Sequence, residues 1–288
     1  MIFIILSILC NIIVSILLKL AKRYEISVPQ AIVWNYAVAG ILTYCLFKPD
    51  VSVFHLDRAP VSTYFLLAIL LPSLFVILGL SVRHTGIVRT DLAQRLSLFI
   101  PLLTAFVIYQ EEVSWLRMLG ILVGFVAIIL SIPWHKQPLR DKTAMLSWFY
   151  PLIVFIGMGI IDILFKHIAS VKSVPYTLSL FVVFALAFII AALALTLRLL
   201  SGKSRLSLKN FICGIILGVF NFGNILFYLK AHRAIPENPS VVFSAMNIGV
   251  IVMGALVGVF IFREKLSKLN IWGIGIAILA IFLISFSK

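Results

Sequence analysis

Apolar runs of about 20 residues recur along the chain from Ile2 to Phe286, with short polar connections between them. A helix needs roughly 20 mostly apolar residues to cross a bilayer core of ~30 Å. Because backbone groups in lipid must be satisfied within the protein, only helices and closed barrels can span it. Barrel strands alternate over segments of about 10 residues, whereas the runs at 121–132 and 181–197 are continuous. The sequence therefore predicts an all-α, multi-pass membrane protein.

Ten segments are predicted to be transmembrane helices. They cover residues 2–20, 29–47, 62–82, 87–109, 115–132, 145–168, 174–199, 208–230, 240–262 and 269–286. The longest connections, at 48–61, 133–144 and 200–207, are too short to hold a further domain. With 62% hydrophobic and 12% charged residues, the chain has no part that resembles a soluble domain.

The chain contains an internal repeat. After a shift of 153 residues, segment 108–121 lies over 261–274 with six identities in 14 positions. The halves are therefore predicted at 1–133 and 144–288, with 134–143 as the connecting loop. Since each half has five spans, the second half must cross the membrane in the opposite sense. Inverted repeats of this kind are typical of secondary transporters, whose substrate sites lie near the midplane between the repeats.

Two matching segments also resemble a known family. Residues 111–120 and 264–273 each carry Glu-x-Val/Leu-Ser followed by a helix start that reaches a glycine. With ten short helices and a five-helix repeat, this pattern resembles the EamA-type members of the drug/metabolite transporter superfamily. Pro101 in the fourth span also resembles the family, although Gly254 takes its place in the second half. The family includes exporters of metabolites and amino acids and carriers of nucleotide sugars and sugar phosphates, so the resemblance implies transport without naming a substrate. Together with the inverted repeat, it predicts a secondary transporter that exports a small polar metabolite, such as an amino acid, across the cytoplasmic (inner) membrane by alternating access.

The net charge of +14 is spread in small groups at the predicted helix ends. This distribution indicates topology signals in loops rather than a nucleic-acid surface. Basic residues are more numerous in the loops after odd-numbered spans, which places both termini outside the cytoplasm by the positive-inside rule. The family resemblance implies the opposite orientation, so the sequence leaves the orientation open.

The fourth span is the first candidate site. Its apolar part, 96–109, is too short to cross a membrane and must recruit the polar segment before it. Charged groups at that depth face a cavity or a partner. Asp91 and Arg95 are one helical turn apart and can pair, and an arginine can bind a carboxylate or phosphate through two hydrogen bonds. The predicted substrate-binding residues of this span are Arg89, Asp91, Gln94 and Arg95. The alternative is a structural Asp91–Arg95 pair near the interface.

Three other spans carry candidate substrate-binding residues. They are Asn221, Asn224 and Tyr228 on one face of the eighth span, Asn247 in the ninth, and Trp34 and Asn35 in the second. Amide groups both donate and accept hydrogen bonds and suit small polar molecules. The alternatives are hydrogen bonds between helices for the asparagines and ordinary aromatic packing for the tryptophan.

Matching charged positions in the two halves give further candidates. Lys19 and Lys166 coincide after a shift of 147 residues, and both are expected to extend to the membrane interface. Asp162 lies one turn before Lys166, so this pair is a structural ion pair or a candidate for proton coupling. Glu111 and Glu264 also coincide, and each is expected to cap or ion-pair the start of the helix that follows.

Signatures of catalysis are missing from the sequence. The five histidines have no metal-ligand spacing, and there is no phosphate-binding glycine-rich loop. The sequence therefore predicts no enzyme activity, cofactor or metal, and its partners are a small-molecule substrate and the lipid bilayer. The chain is long enough to form a pathway as a monomer. An intramembrane enzyme, a non-transporting scaffold and a multidrug exporter remain as alternatives.

Overall fold

The computed structural model describes residues 1–50, 52, 59–85, 87–111, 114–131, 144–202, 205–260 and 268–286. Within these ranges some side chains, including those of Lys19, Arg89 and Asp91, lie outside the description. The described ranges contain helices and no strand, so the all-α prediction is confirmed. The helices are α1 (Ile2–Arg23), α2 (Val28–Phe47), α3 (Val61–Thr85), α4 (Ile87–Leu96), α5 (Phe99–Val107), α6 (Trp115–Ser131), α7 (Ala144–Ser170), α8 (Tyr176–Leu200), α9 (Leu208–Ala234), α10 (Pro239–Phe260) and α11 (Lys268–Phe286).

Six of the described helices are long and apolar enough to cross a membrane by length and composition. They contain Val28–Phe47, Val61–Ser81, Phe149–Ser170, Tyr176–Leu200, Leu208–Ala234 and Pro239–Phe260. Shorter apolar segments lie at Ile2–Leu18, Ala93–Val107, Trp115–Ala127 and Ile271–Ile284. The protein is therefore a multi-pass membrane protein, and the count of ten spans stays a prediction.

The regular α-helical hydrogen bonding of the fourth predicted span is interrupted at Ser97–Leu98, between α4 and α5, although the backbone stays right-handed helical there. Leu98 N donates to the carbonyl of Arg95 at 3.4 Å, one residue closer in the chain than in an α-helix. Pro101 has no N–H to donate to the carbonyl of Ser97, which instead accepts a bond from Ile100 N at 3.0 Å. The hydroxyl of Ser97 donates to the carbonyl of Gln94 at 2.6 Å. The proline and the serine together explain why the helix ends and restarts here.

The chain divides into two compact units. Unit 1 contains Met1–Ile8, Ile77–Ile163 and Ala234–Lys288, and unit 2 contains Leu9–Val76 and Leu164–Arg233. In unit 1, α6 packs along α11, and α10 contacts α5, α6 and α11. Gly120 and Gly124 of α6 lie directly against Ile284 and Ile248, so the lack of a side chain at both positions makes room for the neighbouring helices.

In unit 2, α2 packs along α8 and also lies against α9. The helices α2 and α9 meet at Gly214 and Gly218. A Cβ atom at Gly214 would lie 2.7 Å from the carbonyl oxygen of Ala31, and one at Gly218 would lie 2.8 Å from the carbonyl oxygen of Asn35. The two glycines therefore let the backbones of α2 and α9 approach more closely than any side chain would allow.

A hydrogen-bond network joins the first turns of α2 and α9. Asn210 Nδ2 donates to Gln30 Oε1 at 2.7 Å, and Asn210 Oδ1 accepts from Ser27 N at 2.9 Å. Gln30 Nε2 in turn donates to the carbonyl of Arg205 at 2.5 Å. Both Gln30 and Asn210 are buried, and this network holds the two helix ends at one level.

Candidate functional site

The interruption of the fourth span places polar groups in unit 1. Gln94 and Arg95 lie in the last turn of α4, and both side chains are half-buried. The Arg95 side chain is therefore partly shielded from solvent. The side chains of Arg89 and Asp91 lie outside the described part of the chain. Asp91 and Arg95 are one turn apart in α4, a spacing that allows an ion pair between them. The ion pair itself stays a prediction.

A buried carboxylate lies near the other end of the fourth span. Glu111 is 6% exposed, and Arg117 Nη1 donates to its Oε1 at 2.6 Å. Ser240 donates its backbone N–H to Glu111 Oε2 at 2.9 Å and its hydroxyl to Oε1 at 2.5 Å. The expected ion pair at the start of the following helix is confirmed for Glu111, whereas its matching residue Glu264 lies outside the described residues.

The same carboxylate also caps the first turn of α10, a role that the sequence did not predict. Ser240 is the second residue of α10 and lies 129 positions beyond Glu111. Free N–H groups at a helix start favour a negative charge. The sequence signal for this carboxylate is that a glutamate recurs at the matching position of both halves. This signal does not identify Ser240, 129 positions away, as the partner.

The polar side chains on one face of α10 differ in their hydrogen bonding. Ser240 binds Glu111, and Asn247 Nδ2 donates to the carbonyl of Phe243 in its own helix at 3.1 Å. Ser244 is 1% exposed, and its hydroxyl has no hydrogen-bond partner among the described residues. Asn247 therefore satisfies part of its amide within α10, and its predicted substrate role stays a prediction.

The predicted face of α9 lies in unit 2. Asn221 and Tyr228 are buried, and Asn224 is half-buried. The Tyr228 ring packs edge-on against His232 at 4.7 Å and against Phe165 at 6.3 Å between ring centroids. Asn221 Nδ2 has no hydrogen-bond partner among the described residues. The face therefore combines a packed aromatic end with an unsatisfied amide.

The α2 residues of unit 2 differ in environment. Trp34 is half-buried and stands edge-on to Phe211 at 4.7 Å, as expected for ordinary aromatic packing. Asn35 is fully buried, and neither its amide nitrogen nor its amide oxygen has a partner among the described residues. Tyr36 is also fully buried, and its hydroxyl is unpartnered within the same set.

Lys166 corrects an expectation. Its side chain is 2% exposed and lies inside unit 2, so it does not extend to the membrane interface as predicted. Phe165 and Ile168 are also buried whereas His167 is exposed, so Lys166 lies on the face of α7 that packs against protein. Asp162 is half-buried and belongs to unit 1. Proton coupling through Asp162 or Lys166 stays a prediction.

Among the described residues, no group of three or more His, Cys, Asp or Glu side chains is arranged to hold a metal ion. The buried polar side chains among the described residues are amides, hydroxyls, the Glu111–Arg117 ion pair, Lys166 and His232. Groups of this kind can donate and accept hydrogen bonds.

Comparisons with known proteins agree with this architecture. The model of the EamA-like transporter family matches residues 145–286. An uncharacterized protein of Haemophilus influenzae is 40% identical over 285 residues, which cover 96% of this chain and 94% of that protein. A protein of known crystal structure superposes with a TM-score of 0.73 over 99% of this chain and 96% of its own, and at 12% identity this shows likeness of fold alone. The chain belongs to the EamA-like transporter family, within the drug/metabolite transporter superfamily.

Proposed function

We propose that this protein is a secondary transporter that exports a small polar metabolite, such as an amino acid, across the cytoplasmic membrane by alternating access. The observation that carries the proposal is the interruption of the fourth span between α4 and α5, with the polar residues Gln94 and Arg95 in the turn before it. Irregular helix segments that line a cavity form substrate sites in many transporters, and we assign the same role to the irregular turn at Ser97–Leu98.

The helix bounds support two inverted repeats. Residues 28–47 of α2, moved by 147 positions, fall on 175–194, and α8 covers Tyr176–Leu200. Residues 115–131 of α6, moved by 153 positions, fall on 268–284, and α11 covers Lys268–Phe286. In both cases the helix also packs along its counterpart, as pairs related by a two-fold axis do.

The interruption occurs once, and the sequence explains why. The counterpart of α4 and α5 is α10, which is continuous from Pro239 to Phe260. Gly254 stands at the position that corresponds to Pro101, and glycine keeps the N–H that proline lacks. The two halves therefore differ at this span, and we assign the cargo-binding role to the half that carries the break.

The proposed cargo is anionic or zwitterionic. Arg95 offers a charged group with several N–H donors, which can bind a carboxylate or phosphate. The surplus of basic groups among the candidates argues against a multidrug exporter of cationic compounds. We propose an amino acid as the cargo and export as the direction by analogy with other members of the family, and Asp162 as the proton carrier.

The test is a thermal-stability screen of the purified protein in detergent against amino acids, nucleotide sugars, sugar phosphates and cationic drugs. A compound at 100 times its dissociation constant stabilises the folded state by roughly 2.7 kcal/mol. We expect Arg95→Ala to remain folded, to lose the stabilisation and to lose transport in proteoliposomes. Full transport by this variant would remove Arg95 from the site.

The remaining alternatives give different results in the same screen. A scaffold protein would tolerate apolar replacement of Asn221, Asn224 and Arg95 with no loss of any activity. An intramembrane enzyme would convert a compound in a turnover assay on membranes. If no compound stabilises the protein and none is transported, the transporter proposal is wrong.

A further inference from the structure

We propose that a hydrogen bond between the hydroxyls of Ser81 and Thr90 positions Arg95 for the cargo, which makes Thr90 a positioning residue of the transport site. This role rests on the proposed function, since it takes Arg95 as the cargo-binding group. It also predicts where the side chain at position 95 lies in the protein without cargo. Ser81, Thr90 and Arg95 all belong to unit 1.

The hydrogen bond joins two consecutive helices. Ser81 Oγ, near the end of α3, lies 2.6 Å from Thr90 Oγ1 in the first turn of α4. Ser81 is 0% exposed and Thr90 is 3% exposed, so water does not compete for this bond. Removing one partner of a buried hydrogen bond destabilises the arrangement that contains it. The bond therefore fixes the position of α4 against α3.

Thr90 belongs to the buried face of α4. Ala93 and Ser97, three and seven residues beyond Thr90, are also buried, and this spacing places the three side chains on one side of the helix. At about 100° per residue, Arg95 lies on the opposite side. The orientation of the buried face therefore sets the direction in which the Arg95 side chain extends.

The junction with α5 holds this orientation only weakly. The bond from Leu98 N to the carbonyl of Arg95 is 3.4 Å long, beyond the usual range of about 2.7–3.2 Å. The helix α4 has only 10 residues, so side-chain contacts are needed to prevent rotation about its axis. A rotation of about 20° would move an atom about 6 Å from the axis by about 2 Å, against a tolerance of about 0.5 Å in a preorganised site.

A second hydroxyl pair on α3 provides the matched control. Tyr64 Oη lies 2.7 Å from Ser179 Oγ of α8, and both side chains are 1% exposed. Tyr64 and Ser179 belong to unit 2, whereas Arg95 belongs to unit 1. The two pairs match in chemistry and burial, but the Tyr64–Ser179 bond does not involve α4.

The first measurement locates the side chain at position 95 and needs no cargo. Arg95→Cys is made in a protein whose native cysteines are replaced by alanine, at Cys10, Cys45 and Cys213. A water-soluble methanethiosulfonate reagent modifies the new thiol at a rate that depends on its exposure. Thr90→Val keeps the branched shape but lacks the hydroxyl, so it should change this rate several-fold. Thr90→Ser and Tyr64→Phe should leave the rate unchanged.

The second measurement is the KM for L-alanine, a zwitterion with a carboxylate, in proteoliposomes. We expect Thr90→Val to raise KM by about tenfold, which corresponds to one ordinary hydrogen bond, while the maximal rate changes little. Thr90→Ser keeps the hydroxyl and should restore the wild-type KM. Tyr64→Phe should lower the melting temperature and leave KM unchanged.

The inference is wrong if Thr90→Val leaves either the thiol rate or KM unchanged. It is also wrong if Tyr64→Phe changes both quantities as much as Thr90→Val does, because the effect is then general destabilisation. If Thr90→Val does not fold, Ser81→Ala takes its place in both measurements, since it removes the same bond from α3 and leaves the sequence of α4 intact.

Arg95→Ala separates this inference from the proposed function. If Arg95→Ala keeps the wild-type KM, Arg95 does not bind the cargo and the site assigned under the proposed function fails. If Arg95→Ala loses transport while Thr90→Val keeps its KM, the function holds and Thr90 has no positioning role. If the wild-type protein transports neither L-alanine nor any screened compound, the proposed function fails, and the thiol rates alone decide whether the bond positions residue 95.

Discussion

Buried polar side chains in this membrane protein are of two kinds. Those of Glu111, Gln30 and Asn210 are enclosed by partners that satisfy them. Those of Asn35 and Tyr36 are equally buried, yet their polar atoms have no partner among the described residues. A satisfied group holds the fold together, whereas an unsatisfied group costs stability and is retained for another reason.

Glu111 provides a test of the structural kind. Replacement by alanine leaves Arg117 buried without its ion-pair partner and leaves the first turn of α10 without its cap. Removing one partner of a buried pair costs about 3–5 kcal/mol. We expect Glu111→Ala to unfold at a markedly lower temperature in detergent.

The double variant Glu111→Ala with Arg117→Met is the control for Glu111→Ala. It removes the buried charge as well, so it should recover part of the lost stability. Equal melting temperatures for the single and double variants would show that the ion pair contributes little and that the cap to Ser240 dominates.

The sequence could predict such residues only where their partners are close in the chain. The ion pair of Glu111 with Arg117 spans six positions, and it follows from the expected role at the next helix start. The bonds from Ser240 span 129 positions and depend on how helices pack, which no local pattern records. The burial of Lys166 was mispredicted for the same reason, since its place near a helix end did not reveal the neighbours that enclose it.

At the scale of the helices, close approach depends on glycines. Gly214 and Gly218 bring α9 against the backbone of α2, and Gly120 and Gly124 bring α6 against unit 1 neighbours. Inside a bilayer, contacts between helices gain little from the hydrophobic effect, so close packing is what holds such helices together. Helix positions were predictable because length and hydropathy are local properties. In the sequence, only Pro101 and the short apolar run at 96–109 indicated the interruption at Ser97–Leu98.

Alanine at Gly214 or Gly218 should separate α2 from α9. Its Cβ would lie within 2.8 Å of backbone or Cβ atoms of α2, and backbone cannot move aside cheaply. We expect each variant to lower the melting temperature in detergent, with the larger loss for the double variant.

Gly79 of α3 is the matched control for Gly214 and Gly218. It is also helical, but a Cβ there meets no described atom within 4 Å. Because alanine is the better helix former, Gly79→Ala should be neutral or stabilising by up to about 1 kcal/mol. A loss at Gly79→Ala equal to that at Gly214→Ala would rule out helix contact as the cause.

At the scale of the whole molecule, the units do not follow the halves of the sequence. Unit 1 contains residues of the first turns of α1, the middle of the chain and its last 55 residues, Ala234–Lys288. Unit 2 likewise takes Leu9–Val76 from the first half and Leu164–Arg233 from the second. The internal repeat could be detected in the sequence. The exchange of helices between the halves could not, because it is a property of tertiary packing.

Splitting the chain tests this arrangement. Because each unit needs helices from both halves, neither residues 1–133 nor residues 144–288 should give a stable protein when expressed alone. Co-expressed in one cell, the two pieces should elute together on size exclusion and recover the melting behaviour of the intact chain. Cooperative unfolding of the isolated second half near the temperature of the intact chain would contradict the expectation.

The contact between α6 and α11 can form only late in the synthesis of the chain. α6 ends at Ser131, and its partner α11 begins at Lys268, so roughly 150 residues separate the completion of the two helices. At about 5–20 residues per second, the ribosome needs about 8–30 s to make the partner. During that interval the glycine-lined face of α6 is in the membrane without its neighbour. We expect an insertion factor to protect this helix during the interval. Slower translation, or loss of such a factor, should lower the yield of this protein more than that of a protein whose neighbouring helices pack in order of synthesis.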